Sequence, residues 1–255
     1  MLLLCCCCCC FQKLSTTQKI RDALNMLLPA TRVYLLMSIV CTVAQLLGVV
    51  DVGLLGLNSK KLLQLWRPLT SVSYLGTPSW VMAYQVFYII SYGQNLELGS
   101  GTGVHAWFLL TQTITLTILG LLLNMPLLSR SMIASIVYVS CRINPFEQTN
   151  IQFGITISMW QMPYFLMIAD CLTMQTMEAA WPYVLGIFSG HIYHFLTAVW
   201  PALGGREWLK TPALFIKLLG DKPNNNFKPG GDKAPNLTGK LPKFSKSMKG
   251  RKLGS

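Results

Sequence analysis

Charge is what this 255-residue chain has least of. Only 12% of its residues are charged, about half the share usual in a soluble domain. Acid is scarcest, with nine Asp and Glu against 21 Lys and Arg, and there are three histidines. So little charge excludes an ordinary water-facing surface over most of the chain. The few acids and histidines, and nine cysteines without metal-ligand spacing, give no basis for a metal or any other cofactor, and none is expected. The net charge of +12 does not indicate a nucleic-acid partner. Twelve of the 21 basic residues fall in 202–255, from Arg206 to Lys252, along a Gly/Pro/Asn-rich tail. That tail lacks the aromatic interleaving on which bases stack. A basic tail held on the cytosolic side explains the same charge.

What the chain has is apolar length. Hydrophobic residues make up 52%, and from Val33 to Trp200 long apolar runs carry sparse charges. This is one membrane domain with tails rather than two globular domains. Cys41, Cys141 and Cys171 fall in or beside these runs and read as packed thiols. The other six cysteines form the run Cys5 to Cys10, within ten apolar residues from Leu2 to Phe11. Ten residues are too short to cross a bilayer. Three readings stay open: acylation that pins the N-terminus, a signal-peptide core without a basic lead, and a start of no consequence.

A helix needs about 20 apolar residues to cross the hydrocarbon core. Spans are expected near 33–50, 79–93, 105–124, 125–141, 153–171 and 180–200. Turn signals separate them: Asn58-Ser59-Lys60-Lys61, Gly99-Ser100-Gly101-Thr102-Gly103, Asn124-Met125-Pro126 and Asn144-Pro145-Phe146-Glu147. The second span reads as short and aromatic, and Gln161-Met162-Pro163 interrupts the fifth. Positive residues set the orientation. Arg21 and Arg32 precede the first span, and Arg206 and Lys210 follow the last. Both termini are therefore expected in the cytosol, which requires an even number of spans. The Asn236-Leu237-Thr238 sequon then stays bare.

The spans are not uniformly apolar. The third carries Thr111, Gln112, Thr113, Thr115 and Thr117, and the second carries Tyr84, Gln85 and Tyr88. Polar groups in hydrocarbon must pair or face water. Ordinary interhelical hydrogen bonds and a hydrophilic cavity open to one side both satisfy that need. Asp170 and Glu178 flank the loop between the last two spans and are expected at the lumenal interface, solvated by water.

Four local patterns recur in a particular order. Leu65-Trp66-Arg67-Pro68-Leu69-Thr70 runs on to Tyr74-Leu75-Gly76, and Arg142-Ile143-Asn144-Pro145 ends the fourth span. Gly186-Ile187-Phe188-Ser189-Gly190 spaces two glycines on one helical face, so that a neighbouring helix can approach. Gly204-Gly205-Arg206 and Leu209-Lys210-Thr211-Pro212 follow the last span. With Thr31-Arg32, Leu96-Glu97 and Gln161-Met162-Pro163-Tyr164, these patterns over 29–212 resemble the Derlins of the rhomboid superfamily. The resemblance implies an all-α integral membrane protein, with a rhomboid-like bundle of six transmembrane helices. It divides the chain into an N-terminal cytosolic segment with the cysteine run (1–28), the membrane domain (29–212) and a disordered basic cytosolic tail (213–255). From about Asp221 onward the tail lacks any hydrophobic periodicity.

The resemblance also implies a function. Derlins assist the retrotranslocation of misfolded proteins from the endoplasmic reticulum membrane to the cytosol for degradation. Expected partners are membrane lipids, misfolded client proteins, a ubiquitin ligase complex and the cytosolic AAA+ segregase (valosin-containing protein). Self-association is left open. Phe244 to Gly254 resembles the short segment that recruits the segregase, with Phe244, Gly250, Leu253 and Gly254 as its contacts, although no glycine stands near Ser247. Trp66 and Arg67 match the superfamily mark in the loop after the first span. There, Trp suits the interface and Arg pairs with backbone carbonyls or lipid phosphate.

An active rhomboid needs a serine in Gly-x-Ser-Gly on the fourth span and a histidine one turn before the glycine pair on the sixth. Aligned through Tyr138, this chain has Ser129 at the nucleophile position, but between Leu128 and Arg130. The position three before Gly186 is Tyr183, and a tyrosine is a poor base near neutral pH. His191 and His194 come one and two turns too late, with no carboxylate or cysteine to make them a metal pair. A pseudoprotease is expected. The alternative is an intramembrane serine protease using Ser129.

Overall fold

The computed structural model describes residues 25–58, 64, 66–151 and 156–219. The cysteine run Cys5 to Cys10, most of the basic tail and its Phe244, Gly250, Leu253 and Gly254 lie outside the described residues. Among those described, helices of 13 residues or more stand in each of the six places where a span is expected. These are α1 (Pro29–Leu46), α4 (Trp80–Ser100), α5 (Thr102–Leu122), α6 (Ser129–Cys141), α7 (Met162–Met174) and α8 (Ala180–His194). Two short helices, α2 (Val52–Leu55) and α3 (Trp66–Ser73), lie in the first loop. A hairpin of β1 (Gln148–Asn150) and antiparallel β2 (Thr156–Ser158) lies between α6 and α7. The last helix continues beyond His194 through a π-helical turn, Phe195–Val199, into Trp200–Ala202. By length and hydropathy alone, two of these helices, α1 and α5, qualify as membrane spans.

Local chemistry sets the ends. Pro29 opens α1 and Pro163 stands in the first turn of α7, where a missing N–H costs nothing. Ser79 caps α4 by accepting the Met82 amide. Gly101, at φ +93°, turns α4 into α5 with one residue between them. Only glycine takes that conformation without steric cost.

Several expected boundaries move. The second helix is not short: α4 runs 21 residues, to Ser100. Glu97 depresses its apolar count, but that carboxylate is buried and fully engaged. The fifth helix is shorter than expected, because 156–158 are extended and 159–161 form a 3₁₀ turn before α7 begins. Pro163 starts this helix rather than interrupting it. The tail does not begin at 213. Residues Ala213–Leu218 form α9, where Phe215 meets the Trp107 ring edge-to-face at 5.4 Å and its backbone lies against Gly103.

The bundle is arranged around α6, in which every residue but Arg130 is buried. Against it lies α8, in parallel. A Cβ placed on Gly186 would meet the Ser131 carbonyl at 2.2 Å, and one on Gly190 would meet Ser135 Cα at 3.3 Å. The pairing advances by four residues on both helices, as parallel neighbours must. The two glycines therefore set the spacing between the helix backbones.

Polarity is inverted relative to a soluble protein. Thr31, Ser38, Gln85, Gln112, Ser131, Ser135 and Ser189 are buried, while Val33, Val40, Ile114, Ile118, Ile168, Leu172 and Phe188 are exposed. An apolar outside on every peripheral helix is a surface made for lipid. Inside, Gln112 and Ser189 join α5 to α8 at 2.8 Å. The threonines of α5 turn back on their own helix: Thr111, Thr113, Thr115 and Thr117 each bond the carbonyl four residues back.

Candidate functional site: a polar groove between α4 and α7

Two cavities of about 190 and 230 Å3 follow the seam between α4 and α7 and share Tyr88 and Ile151. Each has room for several waters. The first is lined by Tyr84, Gln85 and Tyr88 of α4, by Asp170 and Thr173 of α7 and by Tyr183 of α8. The second continues past Tyr92 and Asn95 to Thr149 and Asn150 of the hairpin. The i, i+4 spacing of Tyr84, Tyr88 and Tyr92, with Gln85 beside them, places these groups on one stripe of α4.

The groove's charge sits at one end. Arg130, in the first turn of α6, donates to Asp170 at 2.8 Å, and Tyr183 stands close to the same carboxylate. Asp170 is therefore not solvated at an interface as expected; it is 5% exposed and paired with Arg130. A charge with so little water must be paired. Sequence reading missed this cluster, although one signal was available: an acid inside an apolar run needs a named partner. Gln85 is a different case. Its Oε1 is buried, and no donor reaches it among the described residues. The groove thus presents one acceptor without a donor, beside an ion pair.

The remaining predicted residues support the bundle or lie elsewhere on it. Arg67 is 2% exposed. It donates to the carbonyls of Gly53 at 2.9 Å and Gly56 at 2.7 Å, and also to the Gln64 side chain. Of the two partners open to it, backbone carbonyls are the ones it takes, and it ties α3 to the α2 turn. Trp66 beside it is exposed. Gly186 and Gly190 face α6, as described. His191 Nδ1 is 2.7 Å from Tyr138 Oη.

Ser129 is the first residue of α6 and is buried. Tyr183, near the same level of α8, stands beside Asp170. With Ser135 opposite Gly190 and Tyr138 bonded to His191, nine residues of α6 separate Ser129 from the level of His191. At 1.5 Å per residue that is about 13 Å, far beyond the roughly 3 Å at which a base takes a hydroxyl proton.

Comparison with known proteins agrees with this architecture. The model of the Der1-like family matches residues 27–213. Derlin-2.1 of Zea mays is 31% identical over 206 residues, 74% of this chain and 81% of the relative. Derlin-2 of Oryza sativa subsp. japonica is 30% identical over the same shares. Derlin-1 of Arabidopsis thaliana is 28% identical over 203 residues, 76% of this chain and 75% of the relative. The matched segment contains the whole bundle, the groove and the Arg67 anchor, and with them this chain belongs to the Der1-like family, the Derlins.

Proposed function

We propose that this Derlin is a non-proteolytic component of endoplasmic-reticulum-associated degradation, and that misfolded clients cross the membrane along the groove between α4 and α7. The observation that carries the reading is the unpaired Gln85 acceptor beside the Arg130–Asp170 pair, in a molecule whose outer surface is apolar. An unfolded chain brings unsatisfied backbone N–H groups, each costly in hydrocarbon. A lateral seam that carries the polar side chains of α4 and α7 offsets part of that cost.

Bilayer thinning assists, and one helix produces it. α6 and α7 both have 13 residues, about 20 Å of rise against about 30 Å of hydrocarbon. α6 is enclosed and does not meet lipid. α7 exposes Tyr164, Ile168 and Leu172, so the mismatch falls on α7, beside the groove. A short span thins the bilayer next to it. The second helix, at 21 residues, takes no part in the thinning.

In this reading the protein resides in the endoplasmic reticulum membrane with both termini cytosolic. Its tail recruits the AAA+ segregase through Phe244, Gly250, Leu253 and Gly254, and a ubiquitin ligase complex marks the emerging client. Ser129 cuts no bond, because no histidine stands at its level of α8.

The test is photocrosslinking from groove positions in microsomes, using a radiolabelled misfolded client. A crosslinker at Val81 or Phe165 should capture the client, and one at Val40, on the exposed side of α1, should not. In cells depleted of the protein, re-supplied Gln85→Leu should prolong the client half-life relative to wild type. Equal capture from Val40 and Val81, with full rescue by Gln85→Leu, refutes the groove as the path.

A further inference from the structure

At the far end of α6, four side chains gather that neither the groove nor the Arg67 anchor uses. Tyr138 packs under the guanidinium of Arg142, whose Cζ is 4.8 Å above the ring centroid. The Tyr138 hydroxyl is 2.7 Å from His191 Nδ1. One turn along α8, His194 has a buried Nδ1 that no partner reaches among the described residues, and it lies within electrostatic range of both Arg142 and His191. No carboxylate balances this group: the salt bridges found among the described residues are Arg130–Asp170 and Lys210–Glu207. The nearest acid in sequence, Glu147, accepts from Asn144 instead.

A guanidinium at the edge of a membrane bundle, with two imidazoles, a phenol and no acid, has the composition of an anion site. Arg142 follows the last residue of α6, so part of its charge offsets that helix end. The end carries about half a negative charge, and a guanidinium carries a full positive one, which leaves a surplus. α8 adds no opposing end here, because it continues through its π-helical turn to Ala202. The available atoms are donors in a planar fork plus an imidazole nitrogen, which suits phosphate oxygens. Basic pockets between transmembrane helices at the membrane boundary take lipid head groups in the same way.

We propose that Arg142, with Tyr138, His191 and His194, forms a site for a phosphate group, carried by an anionic lipid at the bilayer boundary where α6 ends. The site depends only on the Derlin bundle. Client transport along the groove could fail as a reading and leave this site intact.

The purified full-length chain in neutral detergent is titrated with dioctanoyl phosphatidic acid and, separately, with inorganic phosphate, and binding is read by native mass spectrometry. One phosphatidic acid should bind per chain, about tenfold more weakly to Arg142→Gln and within about threefold of wild type to Arg142→Lys, which keeps the charge. His194→Gln should weaken binding by about threefold. Arg32→Gln, at a half-buried arginine of α1 that bonds Asn25 instead, should bind as wild type does. Should inorganic phosphate bind as well as the lipid and lose affinity in the same variants, the anion site holds and its source is soluble phosphate. Binding of neither probe overturns the proposal. So does equal binding of phosphatidic acid by wild type, by Arg142→Gln that elutes as a folded monodisperse species, and by His194→Gln.

Discussion

Glu97 caps a helix that begins 68 residues before it, through Thr31. Its carboxylate takes the Thr31 amide at 2.8 Å and the Thr31 hydroxyl at 2.7 Å, while its other oxygen takes the Ala30 amide at 2.9 Å. The acid is 2% exposed. In the ordinary case the residue just before a helix caps it with its own side chain. Here Leu28 occupies that position and cannot, so α4 supplies the cap and the positive end of the α1 dipole meets a buried negative charge. Glu97→Gln keeps the shape, removes the charge and points an NH2 at one of the two N–H groups. The expected loss is about 2 kcal/mol, read as the shift in SDS-induced unfolding of the purified protein in mild detergent. Thr31→Val, which removes only the hydroxyl, should cost about 1 kcal/mol.

The two glycines of α8 should not be equivalent. A Cβ at Gly186 would stand 2.2 Å from a backbone carbonyl oxygen of α6 and 2.7 Å from Ala134 Cβ, so the helices must separate. At Gly190 the nearest atoms are Tyr138 Cδ1 at 3.2 Å and Ser135 at 3.3 Å, and a ring can yield by a few tenths of an ångström. Overpacking of this kind costs about 1–3 kcal/mol. Gly186→Ala should fall at or above the upper end of that range and Gly190→Ala at the lower. Thermal aggregation in detergent should rank them in that order.

Much of this was legible from residue type and spacing. Apolar length located six helices, and the Gly-x-x-x-Gly interval identified the face of α8 that meets another helix. Polar letters alone misled in two ways. Thr111 to Thr117 and Tyr84 to Tyr88 look equally hydrophilic, yet threonine reaches its own backbone four residues back, whereas glutamine and tyrosine extend beyond the helix and must find partners elsewhere. Only the second set lines the groove. Glu97 shortened the expected second helix because hydropathy scores an acid as a terminator whatever it bonds to. Its partners lie 66 residues away, beyond any window. The Arg130–Asp170 pair, 40 residues apart, was hidden for the same reason.

That pair should lose stability unequally when it is broken. Asp170 is 5% exposed and Arg130 is 28% exposed. Arg130→Met strands a buried carboxylate in the bundle without its cation, and should cost about 3 kcal/mol. Asp170→Leu leaves an arginine that can extend its head to water, and should cost about half as much. The double variant, with both charges gone, should be within about 1 kcal/mol of wild type. A double-mutant cycle on SDS unfolding measures the coupling, and additive single effects would mean that the pair contributes nothing as a pair.

Ser129 offers the sharpest contrast between a motif position and its geometry. A serine is phosphonylated by a fluorophosphonate, with fluoride leaving, only when a base within hydrogen-bond reach draws off its proton. At the level of Ser129 on α8 stands Tyr183, and a phenol is a poor base near neutral pH. The wild type should therefore take no fluorophosphonate label in detergent or in membranes. Ser129→Ala should leave client half-life unchanged. Labelling of the wild type that disappears in Ser129→Ala would require a base from an element other than α8, and would return the chain to the intramembrane proteases.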